Sequence, residues 1–86
     1  MPTVEIYCTA SCPYCIRTRR LLDAKGVSYR ELRVDMSPEL WDEMRARSSC
    51  TTVPQIFIGK HHIGGFNDLS LLELEGEPDQ LLAAEE

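Results

Sequence analysis

The sequence predicts an α/β fold built on a small mixed sheet. Residues 3–34 give a strand, a helix and a second strand, with the lengths of a parallel βαβ unit. Further on, two short apolar runs flank Gly59 and Lys60, which fits an antiparallel hairpin. A chain of 86 residues holds one small core, so we assign residues 1–86 to a single domain.

The first strand and helix follow from local patterns. Thr3–Tyr7 alternates between two faces, which is typical of a strand. Pro13 suits the first turn of a helix, where its missing N–H is not needed. The helix runs from Tyr14 to about Lys25 and ends at Gly26, a residue type favoured just past a helix C-terminus.

The second strand and helix are predicted in the same way. Val27–Val34 alternates as a strand, and Ser37 and Pro38 give the N-cap and first position of a helix. A polar loop follows over Ser48–Thr52. The apolar stripe of the helix is formed by Leu40, Trp41 and Met44.

The hairpin comes next. Three consecutive apolar residues in Val53–Ile58 predict a central strand that is buried on both faces. Proline cannot donate to a ladder, so we expect Pro54 at the start of this strand, with a cis Val53–Pro54 bond. The partner strand is His61–Gly64.

The C-terminal part is predicted to be helical. Asn67 or Asp68 caps a helix from Leu69 to about Glu75, which ends at Gly76. We expect its leucines to face inward, and a last short helix over Pro78–Ala84. The inward leucines are Leu69, Leu71 and Leu72.

Composition and charge exclude several classes of protein. The chain is 43% hydrophobic and 27% charged, as in ordinary globular domains, and it has no apolar run long enough to span a membrane. Its N-terminus lacks the features of a secretory signal, which predicts a cytoplasmic protein. A net charge of −5 argues against nucleic acid as a partner.

The four cysteines point to redox chemistry or metal rather than to structural disulfides, because the cytosol is reducing. Cys12 and Cys15 form a C-x-x-C pair at the start of the first helix. Free N–H groups and the helix dipole favour thiolate there, and a thiolate attacks disulfides. The pair therefore predicts a thiol–disulfide oxidoreductase, and Arg17 beside it is suited to attract an anionic thiol.

A metal site is the alternative for these cysteines. Zinc ribbons use two C-x-x-C knuckles, and this sequence has one. His61 and His62 point to opposite faces of a strand, so at most one serves as a ligand. We therefore predict no metal site, and interpret Cys8 and Cys50 as small buried hydrophobic residues.

Three motifs together resemble the dithiol glutaredoxins, in particular the bacterial glutaredoxin-3 type. The motifs are Cys12-Pro13-Tyr14-Cys15, Thr52-Val53-Pro54-Gln55-Ile56-Phe57-Ile58 and Gly64-Gly65-Phe66-Asn67-Asp68-Leu69. The resemblance implies a thioredoxin-like fold, whose four-stranded mixed sheet has the order 2-1-3-4 and is flanked by helices. It also implies glutathione as reductant and co-substrate, with no tightly bound cofactor.

Residue roles follow from the same resemblance. Cys12 is expected to attack protein–glutathione mixed disulfides, and Cys15 to resolve the intermediate when a protein disulfide is reduced. The Asp68 carboxylate is suited to pair with the γ-glutamyl ammonium. The glutathione-binding residues that the resemblance implies are Tyr14, Arg17, Thr52, Val53, Pro54, Gly65, Phe66, Asn67 and Asp68.

The sequence also departs from the family. A lysine often precedes the first active cysteine, whereas residues 8–11 contain none, and Arg17 is the candidate replacement. Phe66 stands where close relatives often have Cys or Ser. Two other functions share this fold: an iron–sulfur cluster carrier and a redoxin reduced by thioredoxin reductase. The expected partners of a monomer are glutathione and oxidised proteins, with ribonucleotide reductase as a family-level client.

Overall fold

The structure is a computed structural model that describes residues 3–75. The strands of this region are β1 (Val4–Cys8), β2 (Arg30–Arg33), β3 (Gln55–Ile58) and β4 (His61–Gly64). Its helices are α1 (Pro13–Ala24), α2 (Pro38–Ser48) and α3 (Phe66–Glu75). The predicted helix end at Gly76 and the predicted helix over Pro78–Ala84 lie outside the described residues.

The four strands form one mixed sheet in the order β2-β1-β3-β4. β1 pairs with β2 in parallel, while β3 pairs with β1 and β4 in antiparallel register. This confirms the predicted order 2-1-3-4, the parallel βαβ unit and the hairpin.

Both faces of the sheet are covered, and this explains why β1 and β3 are apolar at nearly every position. On one face, α1 and α3 pack against the sheet through Cys15, Leu22 and Leu69. On the other face, Met44 of α2 packs with Tyr7, Leu32 and Phe57. The C-x-x-C pair therefore starts a helix that is anchored in the core.

Several local predictions are confirmed. The Ser37 hydroxyl accepts a hydrogen bond from the Leu40 amide at 3.3 Å and caps α2. Gly26 has a φ of +71° directly after the C-cap of α1, a conformation that glycine adopts without strain. The Val53–Pro54 bond is cis, and β3 begins right after it.

Two predicted boundaries are wrong. β2 covers four residues and not Val27–Val34, because its register with β1 runs only from Arg30 to Arg33. Ser48 belongs to α2 and not to the loop, since its hydroxyl donates to the Met44 carbonyl at 2.7 Å. Val27 and Val34 are nevertheless buried.

The start of α3 is also different from the prediction. The helix begins at Phe66, so Asn67 and Asp68 lie inside its first turn instead of capping a helix at Leu69. The Asp68 side chain accepts a hydrogen bond from the Gly65 amide at 3.0 Å, as the third residue of a helix does in a capping box. Leu71 was predicted to face inward, but it is 60% exposed.

Within residues 3–75, none of the helices has the length and apolar character needed to cross a bilayer.

Candidate active site

The two cysteines of the C-x-x-C motif occupy different environments. Cys12 is the N-cap of α1 and is partly exposed. Its sulfur lies 3.8 Å from the Val53 carbonyl oxygen, directly beside the cis-proline loop. Cys15 is the third residue of α1 and is fully buried.

Burial also sets the ionisation of the second thiol. It raises the pKa of Cys15 from its usual 9.0 to about 12, and the neighbouring Cys12 sulfur acts in the same direction. Cys15 therefore stays a neutral thiol at physiological pH. Of this pair, only Cys12 combines access to solvent with a place at the helix N-terminus.

The loop that leads to Cys12 is held by a charged pair. Arg33 donates two hydrogen bonds to Asp35, at 2.8 and 2.7 Å, and the Ala10 amide donates to the same carboxylate at 3.4 Å. The hydrogen bonds from Arg33 lower the pKa of Asp35 to about 2. Asp35 thus remains ionised and ties the loop before Cys12 to the end of β2.

A groove with a volume of about 500 Å³ lies next to Val53. It runs between the cis-proline loop and the start of α3. These walls are close together, because a Cβ atom added to Gly65 would lie 3.5 Å from the Pro54 carbonyl oxygen. The groove is lined by Tyr14, Cys50, Thr52, Val53, Pro54, Gln55, His62, Ile63, Gly64, Gly65, Phe66, Asn67 and Asp68.

The α3 end of the groove combines a helix N-terminus with a carboxylate. Asp68 is exposed, and one of its carboxylate oxygens accepts a hydrogen bond from the Gly65 amide. Gly64 has a φ of +110°, and a Cβ atom there would come within 2.5 Å of the Asp68 carboxylate. Glycine at this position therefore lets the carboxylate sit against the backbone at the mouth of the groove.

Aromatic side chains form the outer rim. The Tyr14 and Phe66 rings lie 6.4 Å apart, centroid to centroid, with an interplanar angle of 37°. The Arg17 guanidinium lies 5.3 Å from the centroid of the Tyr14 ring. Arg17 is thus joined to the rim through Tyr14, although it does not itself line the groove.

The structure gathers most of the predicted site residues in one place. All the predicted glutathione contacts except Arg17 line the groove. The Cys12 sulfur lies beside the groove, 3.8 Å from the carbonyl oxygen of Val53, which lines it. The groove residues that were not among the predicted glutathione contacts are Cys50, Gln55, His62, Ile63 and Gly64. Cys50 was interpreted as a buried residue, which is wrong: it is partly exposed, and its thiol lies 3.3 Å from the Ser48 carbonyl oxygen.

Cys8 lies outside the groove and is fully buried, as interpreted from the sequence. Its sulfur is 3.5 Å from the Glu31 carboxylate and 3.7 Å from Arg19, which pairs with Glu31 at 2.6 Å. Burial, reinforced by Glu31, raises the pKa of Cys8 to about 11. Among residues 3–75, no three side chains of the metal-binding types lie close enough together to hold an ion.

The raised pKa values of Cys8 and Cys15 predict a loss of stability in alkaline solution. Both thiols ionise near pH 9 when unfolded but only at about 11 and 12 when folded. Their contribution is therefore complete below pH 9 and is lost as the pH rises through the folded values. In urea unfolding of the reduced protein, we expect each buried thiol to remove roughly 1 kcal/mol between pH 9 and 10.

A Cys8→Ala variant separates this effect from general alkaline denaturation. It should lose less free energy of unfolding than the wild type over the same pH interval, whatever its stability at pH 7. Equal losses in the two proteins would show that ionisation of Cys8 is not linked to folding.

Comparison with known proteins identifies the family. The family model described as Glutaredoxin matches residues 4–63. The chain belongs to the glutaredoxin family. It is 52% identical over 84 residues to a glutaredoxin of Pseudomonas aeruginosa, covering 98% of this chain and 100% of that one. It is 51% identical over 82 residues to glutaredoxin 3 of Escherichia coli, covering 95% and 99% of the two chains.

A solved structure supports the same assignment. The glutaredoxin in a complex described as buckwheat glutaredoxin–glutathione superimposes with a TM-score of 0.86, at 25% identity, over 94% of this chain and 76% of that one. The predicted thioredoxin-like fold and the predicted activity are confirmed at the level of the family. This glutaredoxin is a glutathione-dependent thiol–disulfide oxidoreductase.

Proposed function

We propose that the groove beside Cys12 binds the glutathionyl part of protein–glutathione mixed disulfides. The observation that carries this proposal is the placement of the Cys12 sulfur 3.8 Å from the Val53 carbonyl, at a groove that ends in the helix α3 N-terminus. A tripeptide that lies along Val53 presents its sulfur to Cys12. Its γ-glutamyl end then reaches the start of α3.

Electrostatics supports this orientation of glutathione. The γ-glutamyl group carries a carboxylate and an ammonium. Free N–H groups at the start of α3 suit the carboxylate, and the exposed Asp68 suits the ammonium. Tyr14 and Phe66 cover the apolar part of the ligand, and Arg17 adds positive charge near the rim.

The chemistry divides between the two thiols. The Cys12 thiolate attacks the glutathione sulfur of the mixed disulfide, so that a Cys12–glutathione disulfide forms and the protein thiolate leaves and takes up a proton. A second glutathione thiolate then attacks this disulfide, which yields oxidised glutathione and regenerates Cys12. In protein disulfides, the Cys12 thiolate attacks one sulfur and the other client thiolate leaves. Cys15 then loses its proton and attacks the Cys12 sulfur, so that the client leaves as a thiolate and a Cys12–Cys15 disulfide forms, which two glutathione thiols reduce with release of oxidised glutathione.

The cellular setting is part of the proposal. The bacterial glutaredoxins to which the chain is similar support a cytoplasmic setting, where thiols stay reduced. We propose that the protein acts there as a monomer, without a tightly bound cofactor. Its clients are glutathionylated and disulfide-bonded proteins, with ribonucleotide reductase as one candidate.

Asp68→Asn tests where the γ-glutamyl end binds. The amide keeps an oxygen that accepts from the Gly65 N–H, but it removes the negative charge. Because hydrogen bonds to charged groups contribute about 1.5–3 kcal/mol, we expect KM for a glutathionylated peptide to rise about tenfold or more, with little change in kcat.

Steady-state kinetics with glutathione as reductant measures this effect. Asp42→Asn is the matched control, since Asp42 is exposed on α2 and does not line the groove. An Asp68→Asn enzyme with the KM of the wild type would rule out this orientation of the ligand. Faster turnover with thioredoxin reductase than with glutathione would contradict the proposed reductant.

A further inference from the structure

A buried amide ties the cis-proline loop to the edge of the sheet. The Gln55 side chain is 3% exposed, and its Nε2 donates to both acceptors of Thr52: the carbonyl oxygen at 3.0 Å and the hydroxyl at 3.2 Å. Thr52 itself is exposed, and β3 begins only at Gln55. The residue just before Val53 is thus held by hydrogen bonds from a buried side chain and not by the strand ladder.

His62 engages the other end of that amide. The Gln55 Oε1 lies 2.7 Å from His62 Nε2. Since the amide oxygen can only accept, the imidazole donates from Nε2. With its oxygen engaged by His62, Gln55 turns its NH₂ group toward Thr52. A reversed amide would place its oxygen against the Thr52 carbonyl and its NH₂ group against the imidazole N–H.

His62 is itself fixed in place. Its ring stacks on Phe57 with centroids 4.8 Å apart and an angle of 24°. The Arg47 guanidinium lies 4.0 Å from the Phe57 centroid and is anchored by Glu5 at 3.0 Å and the Tyr7 hydroxyl at 2.8 Å. A chain of contacts therefore runs from the core of the sheet to the cis-proline loop.

A register shift in the hairpin brings His62 to this position. Ile56 pairs with Gly64 and Phe57 pairs with His62, so two consecutive residues of β3 span three residues of β4. Such bulges re-aim side chains near functional sites. His61 and His62 are both exposed, but His61 pairs with Ile58 and does not line the groove, so it serves as the comparison residue.

We propose that His62 and Gln55 are positioning residues for the Thr52–Pro54 loop, and that they set the affinity of the groove for the glutathionyl group. This inference rests on the proposed function, because Val53 must contact that group. Neither residue takes part in sulfur chemistry. They act by reducing the conformational freedom that the loop would otherwise lose on binding.

The test compares His62→Phe with His62→Gln. Phenylalanine keeps a ring that stacks on Phe57 but removes the donor, whereas glutamine keeps an NH₂ donor and loses the ring. We expect His62→Phe to raise KM for a glutathionylated peptide about fivefold or more, as the loss of one partly buried hydrogen bond implies, with kcat changed less than about twofold. His62→Gln should recover most of the affinity, and His61→Phe should match the wild type.

A second readout does not depend on glutathione. In NMR spectra of the reduced wild type, the Gln55 side-chain NH₂ should exchange slowly with solvent, and it should exchange faster in His62→Phe but not in His61→Phe. Faster exchange with an unchanged KM would overturn the inference while leaving the proposed function intact. Equal rises of KM in both His62 variants would also overturn it, since restoring a donor would then fail to restore the affinity.

The two proposals fail in different ways. If the wild type shows no saturation with the glutathionylated peptide, the groove does not bind glutathione and both proposals are overturned. In that case the NMR comparison still decides whether His62 orients Gln55.

Discussion

Replacing Cys12 with serine is expected to lower the rate of glutathione-coupled reduction of a mixed disulfide by about a thousandfold or more. A serine hydroxyl neither attacks a disulfide nor leaves from one as a thiolate does. Cys12 is the partly exposed thiol at the start of α1, beside the Val53 carbonyl. Its partner Cys15 is fully buried with a pKa of about 12, so it cannot take over the attack.

The control for this variant removes the other thiol near the ligand. Cys50 also lines the groove, and Cys50→Ser should turn over at a rate close to that of the wild type. Circular dichroism checks that both variants are folded. A Cys12→Ser enzyme that retains a tenth or more of its rate would contradict the assignment of the nucleophile, and a large loss in Cys50→Ser would point to Cys50 instead.

Replacing Cys15 with serine should separate two reactions. Reduction of a glutathionylated peptide needs only Cys12 and should stay within about threefold of the wild-type rate, while reduction of a protein disulfide should fall about a hundredfold or more. The reason is that a client attached to Cys12 leaves quickly only when a second thiol in the same helical turn displaces it. Substrates of the two kinds, assayed with one enzyme preparation, measure the split.

Two other outcomes of this comparison would contradict the division of labour between the two thiols. Loss of both activities in Cys15→Ser would mean that the second thiol takes part in every turnover, and retention of both would mean that glutathione resolves all intermediates. Because Cys15 is packed in the core, the thermal transition of the variant should be recorded beside the kinetics. Serine is close in size, so the fold should persist despite the buried hydroxyl.

Local sequence patterns were sufficient for most of the fold. The N-cap of α2 at Ser37, the cis Val53–Pro54 bond and the mixed sheet were all predicted from short stretches. The start of α3 was not, because Asp serves equally well before a helix and at its third residue. Asp68 takes the second role and accepts from the Gly65 amide.

The groove shows where such patterns stop being informative. Its predicted members lie in motifs that the family shares, whereas His62 lies outside those motifs and enters the groove through the pairing of β3 with β4. The contact of His62 with Gln55 depends on a register shift between β3 and β4, and no feature of either strand alone indicates that shift. A residue that enters the groove through strand pairing, as His62 does, is recognised only in the folded structure.

The central claim is that Cys12 accepts the glutathionyl group within this groove. Mass spectrometry of the Cys15→Ser protein after exposure to a glutathionylated peptide tests it most directly, because the variant cannot resolve the intermediate by itself. We predict one added glutathionyl group per chain, located by peptide mapping at Cys12. A protein that stays unmodified, or that carries the group on Cys8 or Cys50, would contradict the account.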